Sequence, residues 1–148
     1  MSTLHTNDAA SAITRLQDMG LEPYLISSAV VGIMAQRLAR RICPKCKTVD
    51  AGSADLRDYF RVKPEEVFHR GNGCVDCNQT GYRGRAMVGE LIEVTPALRK
   101  LIDRKASADE LRALAVQEGM VPLTQNALAL AREGITTLDE AFSVKLEA

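Results

Sequence analysis

The 148-residue sequence contains no tryptophan, and only 4% of its residues are aromatic. Its apolar mass is therefore Ala, Leu, Val and Ile, which suits packed helices better than a β-sandwich. Net charge is absent too: nineteen basic residues balance nineteen acidic ones. That removes the broad positive field that non-specific nucleic-acid binding requires. Long apolar runs are missing. The longest, Ala29 to Ala35, falls far short of the ~20 residues that span a bilayer, and Met1 to Asp8 lacks the basic and apolar regions of a signal peptide. The chain reads as cytosolic, with no direct membrane insertion. No lysine follows a glycine, so there is no Walker A phosphate loop. Neither a Gly-x-Ser-x-Gly elbow nor a His-Glu-x-x-His helix is present. Taken alone, the chain reads as a non-enzyme.

What remains is an ordinary balance for a folded domain, with 46% hydrophobic and 26% charged residues. A chain of this length buries roughly two thirds of its unfolded surface, so a core is expected. Asn7 is placed to cap a helix carrying Ala10, Ile13 and Leu16 on one face and ending at Gly20. Pro23 opens a second helix on which Ile26, Val30, Ile33 or Met34 and Leu38 recur every three or four positions. That pattern predicts a helix to about Arg41 with a break near Gly32. From Cys43 to Cys77 the sequence is polar and loop-rich, with short helices expected over Ala54 to Phe60 and after Pro64. Ala86 to Val94 reads as a strand, paired with a strand near Val67 to Arg70. Pro96 opens a short helix, and Ser107 with Glu110 forms a capping box for a helix ending at Gly119. Pro122 to Glu133 is a helix stopped by Gly134, and Thr137 with Glu140 caps the last one. The expected fold is mostly α with a small β component.

Four cysteines in a reducing compartment argue for metal rather than disulfides. They fall as Cys43-Pro-Lys-Cys46 and Cys74-Val-Asp-Cys77, two knuckles that can each wrap one edge of a tetrahedral zinc site. Loop closure costs only ~0.6 kcal/mol per doubling of length, so the long insert between them is no obstacle. A zinc tetrathiolate is anionic, and Arg41, Lys45, Lys47 and Arg70 are expected to offset its charge. Gly71, Gly73 and Gly81 are placed for turns that aim backbone amides at the sulfurs. Incidental cysteines are the bland alternative. A redox reading would need a strand-to-helix setting at each motif. His69 reads as a surface histidine, since four cysteines already complete a tetrahedron. The site therefore reads as closed and structural, with Zn2+ on Cys43, Cys46, Cys74 and Cys77.

Longer words of the sequence carry a family resemblance. Ser2-Thr3-Leu4-His5-Thr6-Asn7-Asp8-Ala9, Thr14-Arg15-Leu16 with Asp18-Met19-Gly20, and Gln36-Arg37-Leu38 before the first knuckle resemble the secretion ATPase superfamily. These are the hexameric motors of type II secretion and type IV pilus assembly. The match continues through Thr80-Gly81-Tyr82-Arg83-Gly84-Arg85, Gly89-Glu90-Leu91, Glu118-Gly119-Met120 and Gly134-Ile135-Thr136-Thr137-Leu138-Asp139-Glu140-Ala141. Ala86-Met87-Val88 departs from the family pattern, which more often has a small residue, Gly and Ile there.

The resemblance implies a C-terminal fragment of a RecA-like P-loop ATPase that begins past its Walker A, Asp-box and Walker B segments. It implies a helical remnant of the ATPase core over 1–42, a tetracysteine zinc subdomain over 43–92 and a C-terminal helical subdomain over 93–148. His5 matches the second histidine of the family's His box, a catalytic position in the parent that is inactive in this chain alone. Arg15, Gln36 and Arg37 lie in matching segments, which implies a nucleotide-side or intersubunit place; as residues they read equally well as a solvated face or ordinary ion pairs. Arg83 and Arg85, straddling Gly84, suit an intersubunit or nucleotide-side contact, or else a solvated turn. ATP and Mg2+ belong to the parent only. Implied partners are the other subunits of a homohexamer and inner-membrane platform proteins, through which the motor is peripheral to the inner membrane. The alternative function is a free-standing zinc-ribbon adaptor for protein or nucleic acid; the charge balance and scarce aromatics weaken its nucleic-acid form.

Overall fold

The computed structural model describes residues 3–4 and 6–146. In chain order its elements are α1 (Ala9–Asp18), α2 (Pro23–Ala29), β1 (Gly32–Ile42), β2 (Lys47–Asp50), α3 (Ala54–Phe60), β3 (Phe68–Gly71), β4 (Tyr82–Glu93), α4 (Pro96–Asp103), α5 (Ala108–Gln117), α6 (Leu123–Arg132) and α7 (Leu138–Leu146). Among the described residues this is a mixed α/β chain in which helices predominate and strands contribute more than expected. No helix among the described residues is long and apolar enough to cross a membrane. The chain forms two compact units: the residues through Gln36 with Gly89–Pro122, and Arg37–Val88 with the segment from Leu123 onward.

In the first unit, local chemistry sets each helix end. Asp8, rather than Asn7, caps α1: its Oδ1 accepts the Ser11 amide at 2.8 Å. Gly20 adopts a left-handed φ of 88° just past the helix, where glycine alone is unstrained. Thr95 caps α4, and Ser107 with Glu110 closes a reciprocal capping box on α5. Helix α1 packs on α5, and α4 packs on both α2 and α5. Their inward faces supply Ile13, Leu98, Ile102 and Leu111, all fully buried, over Ile92 of β4. A buried carboxylate joins this core: Glu90 of β4 is 2% exposed and accepts the Ala9 amide at 2.8 Å, at the first turn of α1.

The second helix does not reach Arg41. It ends at Ala29, because Val30 is already extended, and β1 follows. Along β1, Ala35 and Ala39 are buried while Met34 and Leu38 are 53% and 59% exposed. Met34 and Leu38, which extend the helical spacing past Gly32, thus lie on the outward side of a period-two strand. Strand β4 pairs with β1, not with the segment near Val67, which pairs with β2 instead. The pairing is antiparallel: Val94 N–H donates to Val31 O at one end, and Cys43 N–H donates to Gly81 O at the other. Met87 sits mid-strand and exposed.

In the second unit, β3 pairs with β2 in antiparallel register, from Lys47 opposite Gly71 to Asp50 opposite Phe68. Helices α6 and α7 pack together, with α3 against α7 and β3 against α6. Phe68, Leu128 and Leu138 fill the core. No helix forms after Pro64. The carbonyls of Lys63, Pro64 and Glu66 instead accept hydrogen bonds from Arg57 of α3, whose guanidinium also lies over the Phe68 ring. One arginine thereby satisfies backbone groups that a helix would have paired internally.

Candidate metal centre

The first knuckle leaves the end of β1. Its Cys43 amide is fixed to Gly81 O at 2.9 Å, and Cys46 N–H turns back to Cys43 O at 3.3 Å. The second knuckle is a short 3-10 turn, Val75–Cys77, closed by Asn78 at a left-handed φ of 51°. The Asn72 amide donates to Cys46 O at 3.0 Å, tying the two knuckles by their backbones. Two glycines make the approach possible. A Cβ on Gly71 would run into the backbone of Gly81, and a Cβ on Gly81 into that of Gly71.

The result is a cluster in which all four sulfurs lie within 4.8 Å of one another. Cys43 and Cys74 sulfurs are 3.8 Å apart, Cys46 and Cys77 are 3.8 Å apart, and Cys74 and Cys77 are 3.7 Å apart. A tetrahedron with metal–sulfur bonds of ~2.3 Å has edges of ~3.8 Å, so the four residues together can hold one metal ion. Cys43 and Cys77 are buried and the other two are half-buried, as suits a closed site.

Backbone donors tune the sulfurs. The amides of Cys74 and Gly81 donate to Cys77 Sγ at 3.2 and 3.3 Å. Burial opposes ionisation of Cys77, but these donors outweigh it and bring its thiol down to about 6. Burial pushes Cys46 up to about 12 and also raises Cys74. A metal ion arriving at neutral pH therefore meets Cys77 readily ionised and displaces protons from Cys46 and Cys74. The cationic side chains expected to offset the cluster's charge are partly occupied elsewhere: Arg70 faces Asp50 at 4.0 Å, and the Lys47 ammonium lies against Gly134.

His69 takes no part in the cluster. It is half-buried rather than on the surface, and its Nδ1 is shielded from solvent with no hydrogen-bond partner. Arg83 pairs loosely with Asp76 at 3.8 Å, and Arg85 is exposed. Arg15 lies on the exposed side of α1, while Gln36 and Arg37 are on β1 and not on a helix. His5 lies outside the described residues.

A polar network beside the first knuckle escaped the sequence reading. Glu140 accepts the Arg40 amide at 2.8 Å and the Arg40 guanidinium at 2.7 Å, while that guanidinium stacks 4.2 Å over the Tyr82 ring. Tyr82 and Thr137 hydroxyls bond at 3.0 Å, and Thr136 donates to Arg40 O at 2.7 Å. Glu140 N–H still bonds Thr137 Oγ1 at 3.1 Å, so Thr137 caps α7 as expected, but the Glu140 carboxylate serves Arg40. The signal lay in two words, Tyr82-Arg83-Gly84 and Thr136-Thr137-Leu138, whose meeting no local pattern announces.

The Type II/IV secretion system protein family matches residues 1–143. The type II secretion system ATPase E of Vibrio cholerae serotype O1 is 41% identical over 150 residues, covering 100% of this chain and 30% of that protein. The type IV pilus assembly ATPase PilB of Thermus thermophilus is 40% identical over 151 residues, covering 99% of this chain and 17% of that protein. Among solved structures, the pilus retraction motor PilT with bound ADP shares the fold, with a TM-score of 0.59 at 22% identity over 96% of this chain and 31% of that one. The chain thus spans less than a third of the length of these relatives, and it belongs to the type II/IV secretion system protein family.

Proposed function

We propose that this chain is the zinc-binding C-terminal part of a hexameric cytoplasmic ATPase that powers pseudopilus assembly in type II secretion or assembly of a type IV pilus. The observation that carries the reading is four sulfurs spaced as the corners of a tetrathiolate in a chain 41% identical to a secretion ATPase. Zinc fits the donor set best. Four thiolates at these spacings suit a tetrahedral, redox-inert ion, and amide donors to sulfur supply the outer support of a structural site. The ion braces a loop-rich lobe and has no open position for chemistry.

ATP hydrolysis belongs to the longer protein. This sequence has no glycine-lysine pair and hence no phosphate loop of its own. In the hexamer, His5, Arg15, Gln36 and Arg37 would serve the nucleotide side or the subunit boundary, and inner-membrane platform proteins would receive the motion. Elemental analysis of the purified chain should return about one zinc per molecule; a fully folded, metal-free chain would overturn the zinc reading. ATP turnover should stay at background, and activity that survives repurification would overturn the division of labour. The natural reading frame should encode a Walker A motif upstream of Ser2, and its absence would favour a free-standing adaptor.

A further inference from the structure

A cleft of about 180 Å³ in the first unit lies between the end of β4 and the turn that follows α5. Ile92, Ala115 and Met120 form its apolar floor, and Leu91 stands on its rim, 62% exposed. Glu93 and Glu118 line it as well. Glu118 is anchored by the Thr95 hydroxyl at 2.8 Å, which fixes its carboxylate in place. The carbonyl end of α5 adds partial negative charge on the same side.

One wall is a strand edge. Val94 N–H donates to Val31 O at 3.0 Å, so the backbone groups of Val94 and Ile92 face β1. By alternation those of Leu91 and Glu93 face the other edge, toward the cleft. Glu93 O is used there by the Thr95 amide, at 3.0 Å, which leaves Leu91 as the rung an added strand would pair with. A strand edge beside a helix end, over an apolar floor, is the arrangement that takes an extended peptide by main-chain pairing and seats its alternate side chains.

We propose that this cleft docks an extended segment of a partner protein in which an aliphatic side chain is followed within two positions by a lysine or arginine. The floor receives the aliphatic group, for which the volume leaves room. The two carboxylates and the helix end select the cation and repel an acidic segment. This site is independent of the zinc cluster and of the ATPase reading.

The test is an amide NMR titration of the full chain with acetyl-Lys-Leu-Val-Lys-Val-amide. Saturable shifts confined to Leu91–Thr95 and Ala115–Met120 are expected, with binding about ten-fold weaker in Glu93→Lys and for the analogue with glutamates in place of lysines. Two N-methylated peptides, blocked at alternate amides, test the pairing: one set should abolish binding and the other spare it. Absence of shifts at the cleft, equal binding of the acidic peptide, or equal behaviour of the two N-methylated peptides would each overturn the proposal. Leu91→Asp, on an exposed rim, should fold normally and lose the shifts; unchanged binding in that variant also counts against it.

Discussion

The first unit and the knuckle region of the second solve the same problem with different forces. In the first, five large aliphatic side chains are fully buried where α1, α4, α5 and β4 meet, and side-chain packing supplies the stability. Between Cys43 and Gly81 the buried apolar residues are Cys43, Phe68 and Cys77, and α3 buries none. There the chain is held by backbone hydrogen bonds, by glycines that let backbones touch, and by whatever sits among the sulfurs. A region with so little apolar mass depends on geometry and coordination, and it should fail abruptly when either is disturbed.

Removing the metal is the strongest way to test that contrast. A tight zinc chelator, or Cys77→Ser, should collapse the dispersed amide signals of residues 43–81 while those of α4 and α5 persist. Equal loss in both units would erase the distinction. Next in size is Gly71→Ala, which drives a methyl group into Gly81; about 3 kcal/mol of destabilisation and loss of bound zinc are expected by chemical denaturation and metal analysis. Because Gly71 and Gly81 meet each other, the Gly71→Ala, Gly81→Ala double variant should be little worse than either alone, and additive effects would show that the two act separately.

In the packed unit the expected failure is graded. Leu111→Ala should lower stability by about 2–4 kcal/mol with zinc content unchanged, and loss of zinc would show that the units are not energetically distinct. The smallest effect concerns acid. Burial opposes ionisation of Asp8, but the Ser11 amide and hydroxyl and the Arg112 guanidinium outweigh it and hold the carboxyl below its usual range. A depressed folded value means that its stabilisation is present above about pH 4 and is lost as pH falls through the folded value. Asp8→Asn, still a competent cap, should cost less than about 1 kcal/mol at pH 7, through loss of the Arg112 ion pair, and flatten the acid limb of stability against pH. An unchanged acid limb would remove Asp8 from that account.

Local chemistry was what the sequence made legible. Cysteine spacing announced the cluster, Ser107 with Glu110 announced the start of α5, and Pro23 announced the start of α2, because each acts within four residues of itself. Strand β1 was misread because Ile26, Val30, Met34 and Leu38 satisfy a helical spacing, while the alternation that decides matters depends on small alanines. The Glu90 contact to Ala9 spans 81 positions and the Glu140 contact to Arg40 spans 100, and nothing near either end predicts its partner. Arg57 is the same case on a smaller scale: it ends a helix expectation at Pro64 by claiming the carbonyls first.

Cys77 closes its own 3-10 turn and accepts two amides on its sulfur. Gly81 serves both knuckles: its amide is one of those two donors and its carbonyl accepts the Cys43 amide, while Asn72 holds Cys46. A shift at Gly81 therefore reaches both halves of the cluster at once.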